Sequence, residues 1–180
     1  TRLFSMLSHC NQAVVRAQDE SQLLTEICRI LAASGGFPYT WIALAEDAAK
    51  LLRPAAQSGF EDGRLRPLAM DDGNCGDEHP AVSAFRTDNI TIVRDARSDR
   101  DHPAWAEEAA RLGYASTIAL PLHDGDGTCG ALVVHADHTN AFRGQETDLL
   151  SELAGDVGYA LTALRAQADY KRAHEQISRL

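Results

Sequence analysis

A chain of 180 residues with 44% hydrophobic and 24% charged side chains can bury one substantial core and has the make-up of an ordinary globular domain. Its 26 acidic against 17 basic residues give a formal charge of -9, which repels phosphate backbones and argues against nucleic-acid binding through a basic face. No apolar run reaches the roughly 18 to 20 residues of a membrane span, and TRLFSMLSHC lacks a signal peptide's apolar segment, so a cytoplasmic location without membrane insertion is expected.

In chain order, Leu3, Leu7, Cys10 and Val14 recur at spacings of four and three, which predicts an amphipathic helix. Asp19 followed by Gln22 resembles a capping box that opens a second helix with Leu23, Leu24, Ile27, Cys28 and Leu31 inward, stopped at Gly35 and Gly36. YTWIALAED and LLRPAAQSG then read as an antiparallel hairpin around EDAAK, with Pro54 marking its second strand as irregular or at an edge. A short strand near Leu68 to Met70, a glycine-punctuated loop, a helix ending near Arg86 and a brief strand from Ile90 to Val93 follow.

Pro103 stands at a helix start, with Trp105, Ala109 and Leu112 on one face and Gly113 as the stop. YASTIALPLHDGDGTCGALVVHA is a hairpin, its Asp-Gly turn supplying the reversal and Pro121 placed near a strand end, where a missing amide is tolerable. Beyond it, Leu150, Leu153, Val157, Ala160 and Leu164 carry the three-four spacing of a coiled-coil seam on a long last helix, which suggests a connector to something further on.

The chemistry-bearing residues form no strong motif. Cys10, Cys28, Cys75 and Cys129 make no C-x-x-C pair, so reduced, mostly buried thiols are expected and no metal site is assigned. His135 and His138 are an odd number apart and point to opposite sides of a continuing strand; a lone histidine against a sheet is more often a satisfied core or rim residue than a ligand. No G-x-S-x-G, H-E-x-x-H or phosphate-loop pattern is present.

The pattern Ser-x-x-x-x-Pro-Leu, glycine turn, Gly-x-Leu-x-Val is carried by Ser116, Pro121, Leu122, Gly125, Gly130, Leu132 and Val134, and Phe142 and Glu146 follow it. With GFPYTWIALAED and ITIVRDARSD, it resembles the GAF domain family over roughly residues 5 to 165. The resemblance implies an α+β, PAS-related fold. It has an antiparallel sheet of five or six strands, N- and C-terminal helices on one face, and a small-molecule pocket under middle helices and loops on the other. It also implies a division into an N-terminal helix (1–18), a core (19–145) and an exit helix (146–180).

Family members are mostly non-catalytic regulatory modules, so no enzyme activity is expected. The expected function is sensing of an unidentified small molecule in a bacterial signalling protein. The signal would leave through the C-terminal helix to a linked output domain: a cyclic di-GMP enzyme, histidine kinase or transcription activator. A bilin site is not indicated, since no Cys-His dipeptide occurs, and HTNAFRGQET departs from the cyclic-nucleotide signature of phosphodiesterases by its missing lysine. Haem through one histidine stays open, and no cofactor is assigned. Two alternatives are a ligand-free dimerisation module and an enzyme resembling free methionine-(R)-sulfoxide reductases, with Cys75 in GNCG as the thiol.

Strand alternation puts Ile118, Leu120 and Leu122 on one face and the small Thr117 and Ala119 on the other, where they leave room. The expected ligand-binding residues are Trp41, Asp71, Cys75, His79, Phe85, Asp95, Trp105, Tyr114, Thr117 and Ala119. A homodimer is expected through the terminal helices, by Leu3, Leu7, Val14, Leu153, Val157 and Leu164.

Overall fold

The computed structural model describes residues 2–48, 50–61, 63–70, 78–98 and 103–179. Helix α1 (Arg2–Arg16) is followed by α2 (Glu20–Ala33), whose N-cap is Asp19: its side chain accepts the Gln22 amide at 2.7 Å. The Gln22 side chain returns to the amide of Gln18 rather than that of Asp19, so the cap is reciprocal but displaced by one residue.

Strands β1 (Tyr39–Glu46), β2 (Leu51–Ser58), β3 (Leu68–Ala69), β4 (Thr91–Val93), β5 (Ser116–His123) and β6 (Thr128–Ala136) form one antiparallel sheet in the order β3-β2-β1-β6-β5-β4. Its two prolines lie where the ladder ends. Short β3 pairs only Leu51 and Leu52 of β2, so Pro54 is past its reach, and the register of β1 and β2 shifts beside it, between Ile42 and Ala43. Likewise β4 pairs β5 only from Thr117 to Ala119, leaving Pro121 beyond it.

Strand alternation sorts the side chains into two layers. Ile42, Ile118, Leu120, Leu122, Leu132 and Val134 meet α1, α2 and the last helix α5 (Gln145–Ser178) in the main core. Trp41, Ala43, Ala119, Ala131 and Val133 face the opposite side, beneath α3 (Pro80–Thr87). A smaller cluster joins Ala109 and Leu112 of α4 (Pro103–Leu112) to Ala96, Tyr114 and Tyr39.

Leu150, Leu153, Val157 and Leu161 of α5 are each fully buried in the main core, worth about 1.5–3 kcal/mol apiece. This corrects the expected dimer seam. Leu153 and Val157 are sealed inside their own chain, while Leu3, Leu7, Val14 and Leu164 are half-buried against the same core. A helix packing on a sheet and a helix pairing with its copy call for similar three-four spacing, and here the sheet takes this stripe. The fit is tight at Gly158, where an added Cβ would stand 2.6 Å from the carbonyl oxygen of His123.

Candidate functional site

The sheet face under α3 carries a layer of aromatic and imidazole rings built around His135. Register sets the centre: Thr117 on β5 lies directly opposite His135 on β6, which pairs in turn with Tyr39 on β1, and Trp41 is two residues further along β1. The Trp41 indole Nε1–H donates to His135 Nε2 at 3.0 Å, and His135 Nδ1 lies 2.7 Å from Thr117 Oγ1. An indole nitrogen only donates, so Nε2 is the bare acceptor; the neutral ring then holds its proton on Nδ1 and donates to the threonine. Burial keeps the imidazolium form unfavourable, and the pKa of His135 lies well below the ordinary histidine value. The Tyr114 ring stacks on the imidazole with centroids 3.9 Å apart, and Phe60 meets it edge-on at 6.0 Å.

A second imidazole sits at the front of α3. His79 is the N-cap: its Nδ1 accepts the Ala81 amide at 3.1 Å, with Pro80 next in the helix's first turn. That bond leaves the ring proton on Nε2, which faces Glu108 Oε2 at 3.7 Å, too far for a direct hydrogen bond. Burial pushes His79 down to about 4 and raises the carboxyl of Glu108 above its ordinary value, so a neutral donor faces a weakened acid. Trp41 and Trp105 enclose the His79 ring, at 5.8 and 5.9 Å between centroids.

Of the ten residues expected to bind ligand, Trp41, His79, Trp105, Tyr114 and Thr117 converge on this layer; Ala119 lies in its apolar floor and Phe85 at its half-buried margin. Asp95 does not join them. Its carboxylate accepts the Arg97 amide at 3.2 Å and the Ser98 hydroxyl at 2.7 Å, closing its own turn, a role open to any aspartate that starts a loop. Asp71 and Cys75 lie outside the described residues.

Sequence reasoning passed over His135 and Glu108 as site residues. The signal for His135 was its parity with Ala131 and Val133, which sends it to the Trp41 side of the sheet. Glu108 showed none, because only the placement of α4 brings it to His79.

The described thiols belong elsewhere. Cys10 and Cys28 are pushed up to about 12 by burial and Cys129 to about 11, so none is a ready thiolate. All three lie in the main core on the helical side of the sheet. Among the described residues, no helix is long and apolar enough to cross a membrane.

Several solved structures share the fold at low sequence identity. A free methionine-R-sulfoxide reductase from Neisseria meningitidis, in complex with its substrate, is 18% identical with a TM-score of 0.76, covering 92% of this chain and 91% of its own. The reduced form of the fRMsr of Staphylococcus aureus is 14% identical, with a TM-score of 0.72 and coverage of 88% and 94%. The GAF domain of a phosphoenolpyruvate-protein phosphotransferase from Coxiella burnetii is 16% identical, with a TM-score of 0.76 and coverage of 93% and 97%.

A search of curated proteins by sequence found no match. The expectation that this chain is not an enzyme is corrected: two methionine sulfoxide reductases share its fold about as well as the GAF domain of a phosphotransferase does, so the fold does not exclude an enzyme. The family itself is plain, since the GAF domain model matches residues 17–162, most of the chain, and this protein belongs to the GAF domain family.

Proposed function

We propose that this domain senses a small molecule on the Trp41, His79 and Trp105 side of its sheet, in the cytoplasm of a bacterium, and passes the response to an output domain through α5. The carrying observation is the paired environment of His79: aromatic walls on two sides, and an Nε2–H whose nearest acid, Glu108 at 3.7 Å, is too far to engage it directly. Such a site suits a compact ligand with an apolar or aromatic body and a polar end that bridges imidazole and carboxyl. His135, already bonded at both nitrogens, holds the back wall in place.

The path outward supports this reading. β5 presents Thr117 to the ring layer and Ile118, Leu120 and Leu122 to the core that α5 shares. At the other end, Arg165 of α5 donates to Glu20 through Nε and Nη2 at 3.2 and 2.9 Å, and to Asp124 in the β5–β6 turn at 2.7 Å. A ligand that prefers one setting of β5 thereby biases the position of α5.

The test is a thermal-shift panel of amino acids including methionine sulfoxide, cyclic nucleotides and tetrapyrroles, beside an assay of methionine-R-sulfoxide reduction with dithiothreitol. The expected result is a compound that raises Tm at saturating concentration and fails to do so in Trp105→Ala. Sulfoxide turnover lost in Cys75→Ser would overturn the sensing reading in favour of a reductase. Absence of any shift and any turnover would favour a ligand-free interaction module.

A further inference from the structure

Hydrogen bonds fix the charge of the ring layer. His135 is bonded at both nitrogens, with Nε2 accepting from Trp41, and His79 accepts the Ala81 amide at Nδ1, so both imidazoles are neutral. Burial holds the Tyr114 phenol neutral as well. Among the described residues of the layer, the Glu108 carboxyl is therefore the group that can carry a charge, and that charge is negative. Its side chain is 29% exposed against 10% for His79, so it stands at the mouth of the site. The titratable groups around it are His79 in front of α3, Tyr114 ahead of β5, and Arg111, which follows it on α4 and is exposed.

Aromatic surface adjoins this carboxyl. Trp105 lies three residues before Glu108 on the same face of α4, and its indole packs on the His79 ring that Trp41 also meets. An anion here would meet a carboxylate. A primary ammonium would bring three N–H donors to a place where the imidazole and indole N–H groups also donate. A methylated ammonium has no N–H to satisfy, and both indole faces and a carboxylate attract it.

We propose that the ligand is a compact quaternary ammonium compound that bears a hydroxyl. The inference rests on the reading of this face as a small-molecule site. One hydroxyl oxygen, about 2.8 Å from each atom, spans the 3.7 Å between His79 Nε2 and Glu108 Oε2, accepting from the first and donating to the second. The methylated head, a short chain further on, lies against Trp105 with the carboxylate beside it.

Isothermal titration of the 180-residue chain tests this with three probes of one shape. They are choline, neohexyl alcohol, which is its neutral isostere with carbon in place of nitrogen, and the tert-butylacetate anion. The expected outcome is that choline binds about 30-fold more tightly than neohexyl alcohol, the worth of a desolvated cation on aromatic faces, and that the anion does not bind. Glu108→Gln, its folding checked by circular dichroism melting, should lose most of this preference. In the parent chain, choline affinity should fall as pH is lowered through the raised pKa of Glu108, since proton and cation compete for one carboxylate; the affinity for neohexyl alcohol should not.

Equal affinity for choline and neohexyl alcohol, tighter binding of the anion, or a preference unchanged in Glu108→Gln overturns the cation proposal and leaves the sensing site standing. The same holds if choline fails to bind while another compound raises Tm in the parent chain and not in Trp105→Ala. If no compound binds at all, both readings fall.

Discussion

Replacing Thr117 with valine removes one oxygen and almost no volume, and it isolates the role of the His135 bond. The imidazole is 2% exposed, its Nε2 accepts from Trp41, and its Nδ1–H has Thr117 Oγ1 as partner at 2.7 Å. In the valine variant the ring cannot escape by moving its proton to Nε2, because the indole N–H already points there. A buried donor is left facing a methyl group, which costs about 1–3 kcal/mol. At about 2–4 °C per kcal/mol for a domain of this size, a 2 kcal/mol loss lowers Tm by about 4–8 °C.

Thr117→Ser keeps the acceptor and should retain most of the stability. The assay is calorimetric melting at pH 7.5, with histidine nitrogen NMR to read the tautomer of His135 in the parent chain. A valine variant within about 0.5 kcal/mol of the parent, or a proton found on Nε2, would refute donation from His135 to Thr117.

Charge and packing give two further expectations. His79 and His135 are both held below their unfolded value near 6.5, so as pH falls the unfolded chain binds protons first, and stability present above about 6.5 is lost on the way toward 4. Each imidazole contributes up to about 1.4 kcal/mol per pH unit, with the raised carboxyl of Glu108 working the other way, so urea unfolding should show a net loss of about 2–4 kcal/mol between pH 7 and 5, reduced in His79→Gln; equal stability at both pH values would contradict this linkage. On α5, Gly158→Ala drives a Cβ to 2.6 Å from backbone of β5 and should cost about 1–3 kcal/mol despite the better helix propensity. Gly155→Ala, with nothing within 4 Å, should instead gain up to about 1 kcal/mol, and melting curves that rank the two alike would show that α5 does not press on β5 at Gly158.

Much of the fold was legible because its signals are local. The Asp19 cap, the Gly113 stop and the alternation of Ile118, Leu120 and Leu122 against Thr117 and Ala119 each depend on a few neighbouring residues and on backbone geometry. The same alternation placed Thr117 on the face that also carries Trp41, and the Pro-Leu and Gly-x-Leu-x-Val pattern pointed to the family before any coordinate did.

Two matters lay beyond that reach. Spacing alone cannot say whether a three-four stripe meets a sheet or another helix, and only the packed structure shows that Leu153 and Val157 face inward while Tyr159, Tyr170 and Ile177 do not. Nor does spacing reveal partners across the fold. Asp95 looked like a wall residue and closes a turn, while Glu108 reaches His79 from a separate helix, and His135 gains its fixed tautomer from Trp41, 94 residues earlier. The sequence by itself determined the elements, their faces and the family. The ring layer and the direction of its protons are long-range contacts, which exist only once the sheet brings distant strands into register.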